Sequence, residues 1–435
     1  MVVWMCWGAG ADKRALVTGA GAHAPGSRAR LVLLALAAGG FSIGTTEFAT
    51  MGLLPYIAHD LGVTIPQAGY VITAYALGVV VGAPLLTALA ARVDRRTLLL
   101  WLMVMFTVGN TVSAFAPSAG WLVVARFVAG LPHGAFFGVG AVMGAAVVGP
   151  GRRGRAVAMM MAGLTIANVV GVPLSTLLGH LLGWRAAFVA VGVLGLVTFA
   201  GLRAWLPGLP PHPEATVRTE LRALRNAQLW IAFGAAGIGF GGMFAVYSYV
   251  SPLLTEVTGL AETTVPLVLA LFGVGMTIGT VVGGRLADRS VLRTVYLGFV
   301  ATIAVLVAIA VSARVPVLAV VAIVALGVSS QILGLSLQTR LMDVSPAAPS
   351  LGAALCHSAL NLGNASGAWL GGVVIATGHG FVAPAWVGAG LTGAGLLVVL
   401  AVGRAPAPRW PAPGPARGPE ELRAGSRPGR SAVAP

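Results

Sequence analysis

The sequence predicts an all-α membrane protein with twelve transmembrane helices in two six-helix pseudo-repeats around a central cavity. Three observations carry that expectation. Of 435 residues, 57% are apolar and only 9% charged, with a mean hydropathy of +0.91, more apolar surface than a soluble domain of this length buries. Apolar runs of roughly the 20 residues that cross a bilayer's hydrocarbon core recur along the chain. Polar landmarks of the first half also return in the second.

In order, the runs cover about 31–57, 69–91, 97–116, 119–146, 155–180, 184–206, 229–251, 264–286, 294–312, 316–338, 352–377 and 382–403. Several contain Gly or Pro, which membrane helices accept where neighbours satisfy the freed backbone groups. Counting runs from one side of the membrane to the other places twenty-four of the 27 Lys and Arg residues on one side. Only Arg185 and Arg314 fall on the other, and Arg126 lies within the membrane. The positive-inside rule then sets both termini in the cytoplasm of a multi-pass cell-membrane protein. The chain divides into a disordered tail over 1–30, an N-terminal bundle over 31–206, and a cytoplasmic linker over 207–228. A C-terminal bundle over 229–403 and a disordered tail over 404–435 follow. In the linker, Arg218, Arg222 and Arg225 recur at helical spacing, which suits either a short helix on the anionic inner leaflet or a solvated connection. Asn168-Val-Val-Gly171 in the fifth run is echoed by Asn364-Ala-Ser-Gly367 in the eleventh. Parallel six-helix repeats of this kind form many secondary transporters, with the substrate site between them near the midplane.

The formal charge of +15 does not point to nucleic acid, because the basic residues are spread through loops and tails instead of one soluble domain. Cys6 and Cys356 stand alone, with no spacing that suggests a disulfide framework or a metal site. No cofactor is expected. The only lysine, Lys13, lies in the N-terminal tail, so there is no phosphate-binding GxxxxGK[ST] loop and transport must run on a gradient. A membrane enzyme would need paired acids or an HExxH helix within the spans, and neither occurs.

Glu47 is the one acid of twelve placed at membrane depth. A charge there is costly, and by default it marks a proton or substrate pathway. At ~1.5 Å per residue, Glu47 lies about 15 Å and Arg126 about 10 Å below the outer ends of their helices, so the two share a level. Opposite buried charges cost less paired than alone, which makes Arg126 the expected partner of Glu47. As its distance from Arg126 changes, Glu47 is expected to exchange a proton with the medium. Asn110, His133, Asn168, Tyr247, Tyr249, Gln331, His357, Asn361 and Asn364 are the candidate polar residues of the cavity. For each, hydrogen bonding between helices is the competing role.

Gly284-Arg-Leu-Ala-Asp-Arg289, followed by Arg293, resembles the signature of the major facilitator superfamily between helices 8 and 9. It is a motif in which Asp288 caps or pairs across the cytoplasmic gap as the halves rock. The first-half copy is degraded: Thr87 replaces the Gly, Ala91 replaces the Asp, and Asp94 comes late among Arg92, Arg95 and Arg96. Arg126-Phe-Val-Ala-Gly130 resembles the family's fourth-helix motif, which the resemblance links to proton transfer. Gly171 and Pro173 sit in a run that resembles the fifth-helix motif of its antiporters, with Val172 where Gly is usual. Gly44-Thr-Thr-Glu-Phe48 resembles the first helix of the twelve-helix drug:proton antiporter branch that includes arabinose-type and chloramphenicol exporters. The resemblance spans residues 31–403 and implies alternating access with a small-molecule substrate, a proton and a lipid bilayer as partners, and a monomer. With one membrane acid, the exported molecules are expected to be neutral or singly charged amphiphiles. A sugar, nucleoside or amino-acid exporter of the same fold, and a transport-dead sensor or scaffold, are the alternatives.

Overall fold

The computed structural model describes residues 27–89, 93–149, 153–208, 226–344 and 349–402. Among them there is no strand, and twelve membrane segments follow one another, several broken where the backbone requires it. The first half comprises α1 (Ser27–Asp60), α2 (Ile65–Leu89) and α3 (Arg95–Ala114), then α4 (Ala119–Gly130 and Pro132–Val148), α5 (Arg153–Leu182) and α6 (Trp184–Trp205). The second comprises α7 (Ala227–Val257), α8 (Val265–Arg289), α9 (Val291–Ser312), α10 (Pro316–Asp343), α11 (Pro349–His379) and α12 (Ala383–Val402). Helix α1 begins at Ser27, inside the stretch expected to be tail. The remaining N-terminal tail, Arg92, the Arg218–Arg225 stretch and the C-terminal tail lie outside the described residues.

The breaks have local causes. Proline carries no N–H and cannot close the helical bond to the residue four back. Pro132 accordingly restarts α4 after Leu131, so the single run expected there is two segments. In α5, a π-helical turn over Ala167–Gly171 precedes Pro173, and the Val172 N–H reaches back five residues to the Ala167 carbonyl. A second such turn, Leu253–Val257, follows Pro252 in α7. A third ends α11 at Ile375–His379, where Gly378 takes a φ of +87° that favours glycine.

Small residues set how closely the helices approach. A Cβ on Gly78 or Gly82 of α2 would collide with the carbonyls of Phe127 and Leu131 in α4, and one on Gly163 of α5 with the Ala37 carbonyl of α1. In the second half, Gly367 of α11 lies against the Gly241 carbonyl of α7. The halves meet mainly along α2 with α11 and along α5 with α8, where Gly273 fits against the Asn168 carbonyl. Near the middle of the molecule Ser358 of α11 also donates to the Val80 carbonyl of α2 (3.2 Å), a further bond between the halves.

The two ends differ. At the arginine-poor end, Tyr56 of α1 bonds both His180 of α5 (2.9 Å) and Glu262 (3.1 Å), which belongs to the turn leading into α8. That triad joins the halves. Beside it, Asp60 holds Arg185 and the Trp184 indole within the first half. At the arginine-rich end, two hydrogen bonds tie helices within one half: Arg96 to the Arg203 carbonyl (2.8 Å), and Asn226 to the Val344 carbonyl (2.9 Å).

Candidate functional site

Successive residues of an α-helix point about 100° apart, so three in a row face three neighbours. Thr46, Glu47 and Phe48 of α1 do this. Thr46 faces α3 and α4, Glu47 faces α11, and Phe48 packs on Phe244 and Tyr247 of α7 with ring centroids 6.0 and 5.9 Å away.

Arg126 is fully buried. Its guanidinium donates to Thr46 Oγ1 (2.8 Å), Asn110 Oδ1 (3.2 Å) and the Thr46 carbonyl (3.1 Å). The Thr46 hydroxyl also donates to Asn110 Oδ1 (2.5 Å), and the Asn110 amide is fixed by the Phe106 carbonyl (2.8 Å). The cation lies over the Tyr75 ring at 4.2 Å and near Phe188 at 5.2 Å. Such contacts stabilise a desolvated guanidinium without a counter-ion.

The expected ion pair does not form. Glu47 makes no salt bridge to Arg126, because α1 turns Thr46, not Glu47, toward the guanidinium. Glu47 lies within the field of Arg126, and its buried carboxylate faces the Asn364 side chain of α11 without closing a hydrogen bond of good geometry. Both Asn364 amide atoms are buried and unpaired, although most buried polar atoms are satisfied. One turn away, Asn361 Nδ2 donates to the His357 carbonyl (3.1 Å) while Oδ1 stays unpaired. Asn168 on the π turn repeats the pattern: Nδ2 donates to the Leu164 carbonyl (3.0 Å) and Oδ1 has no partner.

The other candidates separate into groups. Tyr247 stacks on Phe272 at 4.1 Å and extends the aromatic wall beside Phe48. Tyr249 donates to the Ala368 carbonyl (2.8 Å), a bond within the second half. It also lines a crevice of about 340 Å³ between α2 and α11 at the arginine-poor end, with Tyr70 and Trp369 on opposite sides. Gln331 lies on α10 with its Cβ beside Gly279 of α8. His133 and His357 meet each other across the halves, at a ring-centroid distance of 5.6 Å.

The motif residues take plainer roles. Asp94 caps α3, accepting from the Thr97 N–H (2.9 Å). Arg95 begins that helix, and Arg96 binds the Arg203 carbonyl. Gly284, Asp288 and Arg289 lie in the last turns of α8, and the Arg293 N–H donates to Ser290 Oγ (3.4 Å) at the start of α9. Asp288 forms no ion pair with any described residue. Gly171 admits Phe41 and Thr45 of α1, and Pro173 follows the π turn. Thr46 and Tyr75, which hold Arg126, are not among the residues expected at the site; the polar Thr45-Thr46 pair beside Glu47 is the one sign of them in the sequence.

This arrangement of helices has known counterparts. The chain matches the Major Facilitator Superfamily over residues 36–348 and 233–433. It is 44% identical over 370 residues to the inner membrane transport protein YdhP of Escherichia coli (strain K12), covering 85% of this chain and 95% of that one. It is 35% identical over 374 residues to a chloramphenicol resistance protein of Streptomyces lividans, covering 85% of this chain and 95% of the relative. Its fold is similar, with a TM-score of 0.63, to the crystal structure of a bacterial homolog of the human lysosomal transporter Spinster in an inward-facing, unoccupied conformation. That likeness covers 87% of this chain and 95% of the other at 17% identity. With a family match across most of its length and relatives of nearly the same extent, the chain belongs to the Major Facilitator Superfamily.

Proposed function

We propose that this membrane transporter exports small amphiphilic molecules in exchange for protons, with Glu47 as the proton-carrying group. One observation carries this: a buried carboxylate without a salt bridge on α1 of one half faces an unpaired amide, Asn364, on α11 of the other. An asparagine suits either state of the acid. Its Oδ1 accepts from a protonated carboxyl, and its Nδ2 donates to a carboxylate. A contact made between halves changes as they rock, so the cost of holding the charge changes with it.

Arg126 then acts as a fixed positive charge. Thr46, Asn110 and Tyr75 hold it in place, so its field on Glu47 persists whether or not the acid is ionised. Beside Glu47, Phe48, Phe244, Tyr247 and Phe272 offer apolar surface. The unpaired oxygens of Asn168 and Asn361 offer acceptors. Together they suit an apolar body carrying a hydrogen-bond donor. Exchange of one proton for a neutral molecule moves a net charge, worth ~2.3 kcal/mol per 100 mV of membrane potential.

With the arginine-rich end in the cytoplasm of a cell-membrane protein, the triad of Tyr56, His180 and Glu262 closes the outer end of a monomeric, two-bundle machine. The bundles are 31–206 and 229–403. Everted vesicles carrying wild type or Glu47→Gln, given an imposed pH gradient and a panel of labelled solutes, test the role of Glu47. Proton-driven accumulation is expected only with wild type. Equal gradient-dependent flux in both would remove Glu47 from coupling, and accumulation inside intact cells would overturn export.

A further inference from the structure

Two of the seven histidines, His133 on α4 and His357 on α11, come from opposite halves and meet inside the molecule. Their ring centroids are 5.6 Å apart with the planes inclined by 60°. His357 also stacks on Phe137 of α4, with centroids 5.1 Å apart and planes within 10°. His133 is 2% exposed, and its Nδ1 lies 3.1 Å from the Tyr75 hydroxyl of α2. His357 is partly exposed. The pair lies between α4 and α11, next along α11 to the Ser358–Val80 hydrogen bond that ties α11 to α2.

Imidazole changes charge between about pH 5 and pH 8 more readily than any other side chain. Neutral rings pack against each other and against Phe137 at no electrostatic cost. A proton on each would set two positive charges within a few ångströms, away from bulk water. The surroundings add to that repulsion. From α2, Tyr75 is the titratable neighbour, and its ring separates His133 from the Arg126 guanidinium. Glu47 of α1 is the acid whose charge acts on Tyr75. On α11 itself, Cys356 adjoins His357 and is buried. Among the described residues no carboxylate forms an ion pair with either ring, so no anion there compensates the pair.

We propose that His133 and His357 form a proton-sensitive clasp between the two bundles, a second group of residues through which protons act on transport. With both rings neutral, α4 and α2 hold α11. Protonation, entering at the more exposed His357, drives the rings apart and frees α11 to withdraw. The clasp is distinct from Glu47: it sets how readily the bundles part, without requiring that a proton be carried across the membrane.

Spin labels at Val93 and Met342, near the arginine-rich ends of the two halves, report that separation in protein lacking its native thiols (Cys6→Ser, Cys356→Ser). Distance distributions are recorded at about pH 8 and about pH 5.5, spanning the imidazole range, without substrate or gradient. The ratio of parted to joined molecules is expected to rise about tenfold on acidification, equivalent to about 1.4 kcal/mol. The same change should be absent in His357→Gln and in His133→Gln. His357→Lys, which retains a charge at both pH values, should show the parted distribution even at the higher one. A distribution that does not move with pH in the histidine-containing protein overturns the clasp, as does an equal shift in both glutamine variants. Because no solute flux is measured, failure here leaves the role of Glu47 standing, and loss of transport in Glu47→Gln leaves the clasp untouched.

Discussion

Arg126 shows how a buried cation is kept without a salt bridge. Its stabilisation is divided among the Thr46 hydroxyl and carbonyl, Asn110 Oδ1 and the Tyr75 face. Asn110 is the most exposed to test, because one oxygen serves both Arg126 and Thr46. Asn110→Ala removes that acceptor from a buried charged donor, a loss of about 2 kcal/mol. It should appear as a lower unfolding midpoint of the purified protein in detergent, and an unchanged midpoint would mean that Arg126 finds another acceptor. The sequence supplied the depth of Glu47 and Arg126 but not the partner. Depth follows from counting residues along a helix, whereas partnership depends on how each helix is rotated about its axis. That rotation is settled by packing among α1, α3 and α4, which no single run encodes. His133 and His357 were equally hidden from one another: each is one polar residue in an apolar run, and only the docking of α11 on α2 and α4 brings them together.

At the scale of the helices, the twelve runs were legible because a bilayer demands length and apolarity from each segment separately. What the runs did not disclose were the internal breaks. Pro132 and Pro173 were visible, yet whether proline kinks, restarts or widens a helix depends on which neighbouring groups satisfy the freed carbonyl. Close helix crossings carry a direct prediction. Gly82 of α2 faces the backbone of Leu131 at the break in α4, so its Cβ has no flexible side chain to displace. Gly82→Ala should cost about 1–3 kcal/mol through overpacking. Gly390 of α12 meets nothing. Gly390→Ala should leave stability unchanged or raise it by up to about 1 kcal/mol, the helix-propensity difference. Thermal unfolding of both variants decides this, and equal effects would refute the difference in crowding.

For the whole molecule, the asymmetry between ends matters most. At the arginine-poor end Tyr56 and His180 meet Glu262 across the halves, whereas the bonds of Arg96 and Asn226 at the other end stay within one half. A partly exposed polar triad adds little to stability, which suits a contact that must open repeatedly. Joining His180→Cys to Glu262→Cys with a short bis-thiosulfonate linker, in the thiol-free background, should abolish transport, and reductant should restore it. Undiminished transport by the linked protein would mean that these ends need not separate. Gly284-Arg-Leu-Ala-Asp-Arg289 was legible as a loop motif, but its acid pairs with no described residue here. A motif fixes which residues stand at a helix end, while its pairing belongs to the arrangement of the halves.

The crevice between α2 and α11 has one wall on each half, Tyr70 on the first and Trp369 on the second, with Tyr249 among its lining residues. Such a cleft behaves like the gap beside a hinge pin. Any swing of one bundle against the other must widen or narrow it, so its width is a gauge of where the molecule stands in its cycle. A dye attached at Gln67→Cys, on that rim, would turn each swing into a change in light. A rigid molecule cut to about 340 Å³ would act as a wedge, stopping the swing from the arginine-poor end.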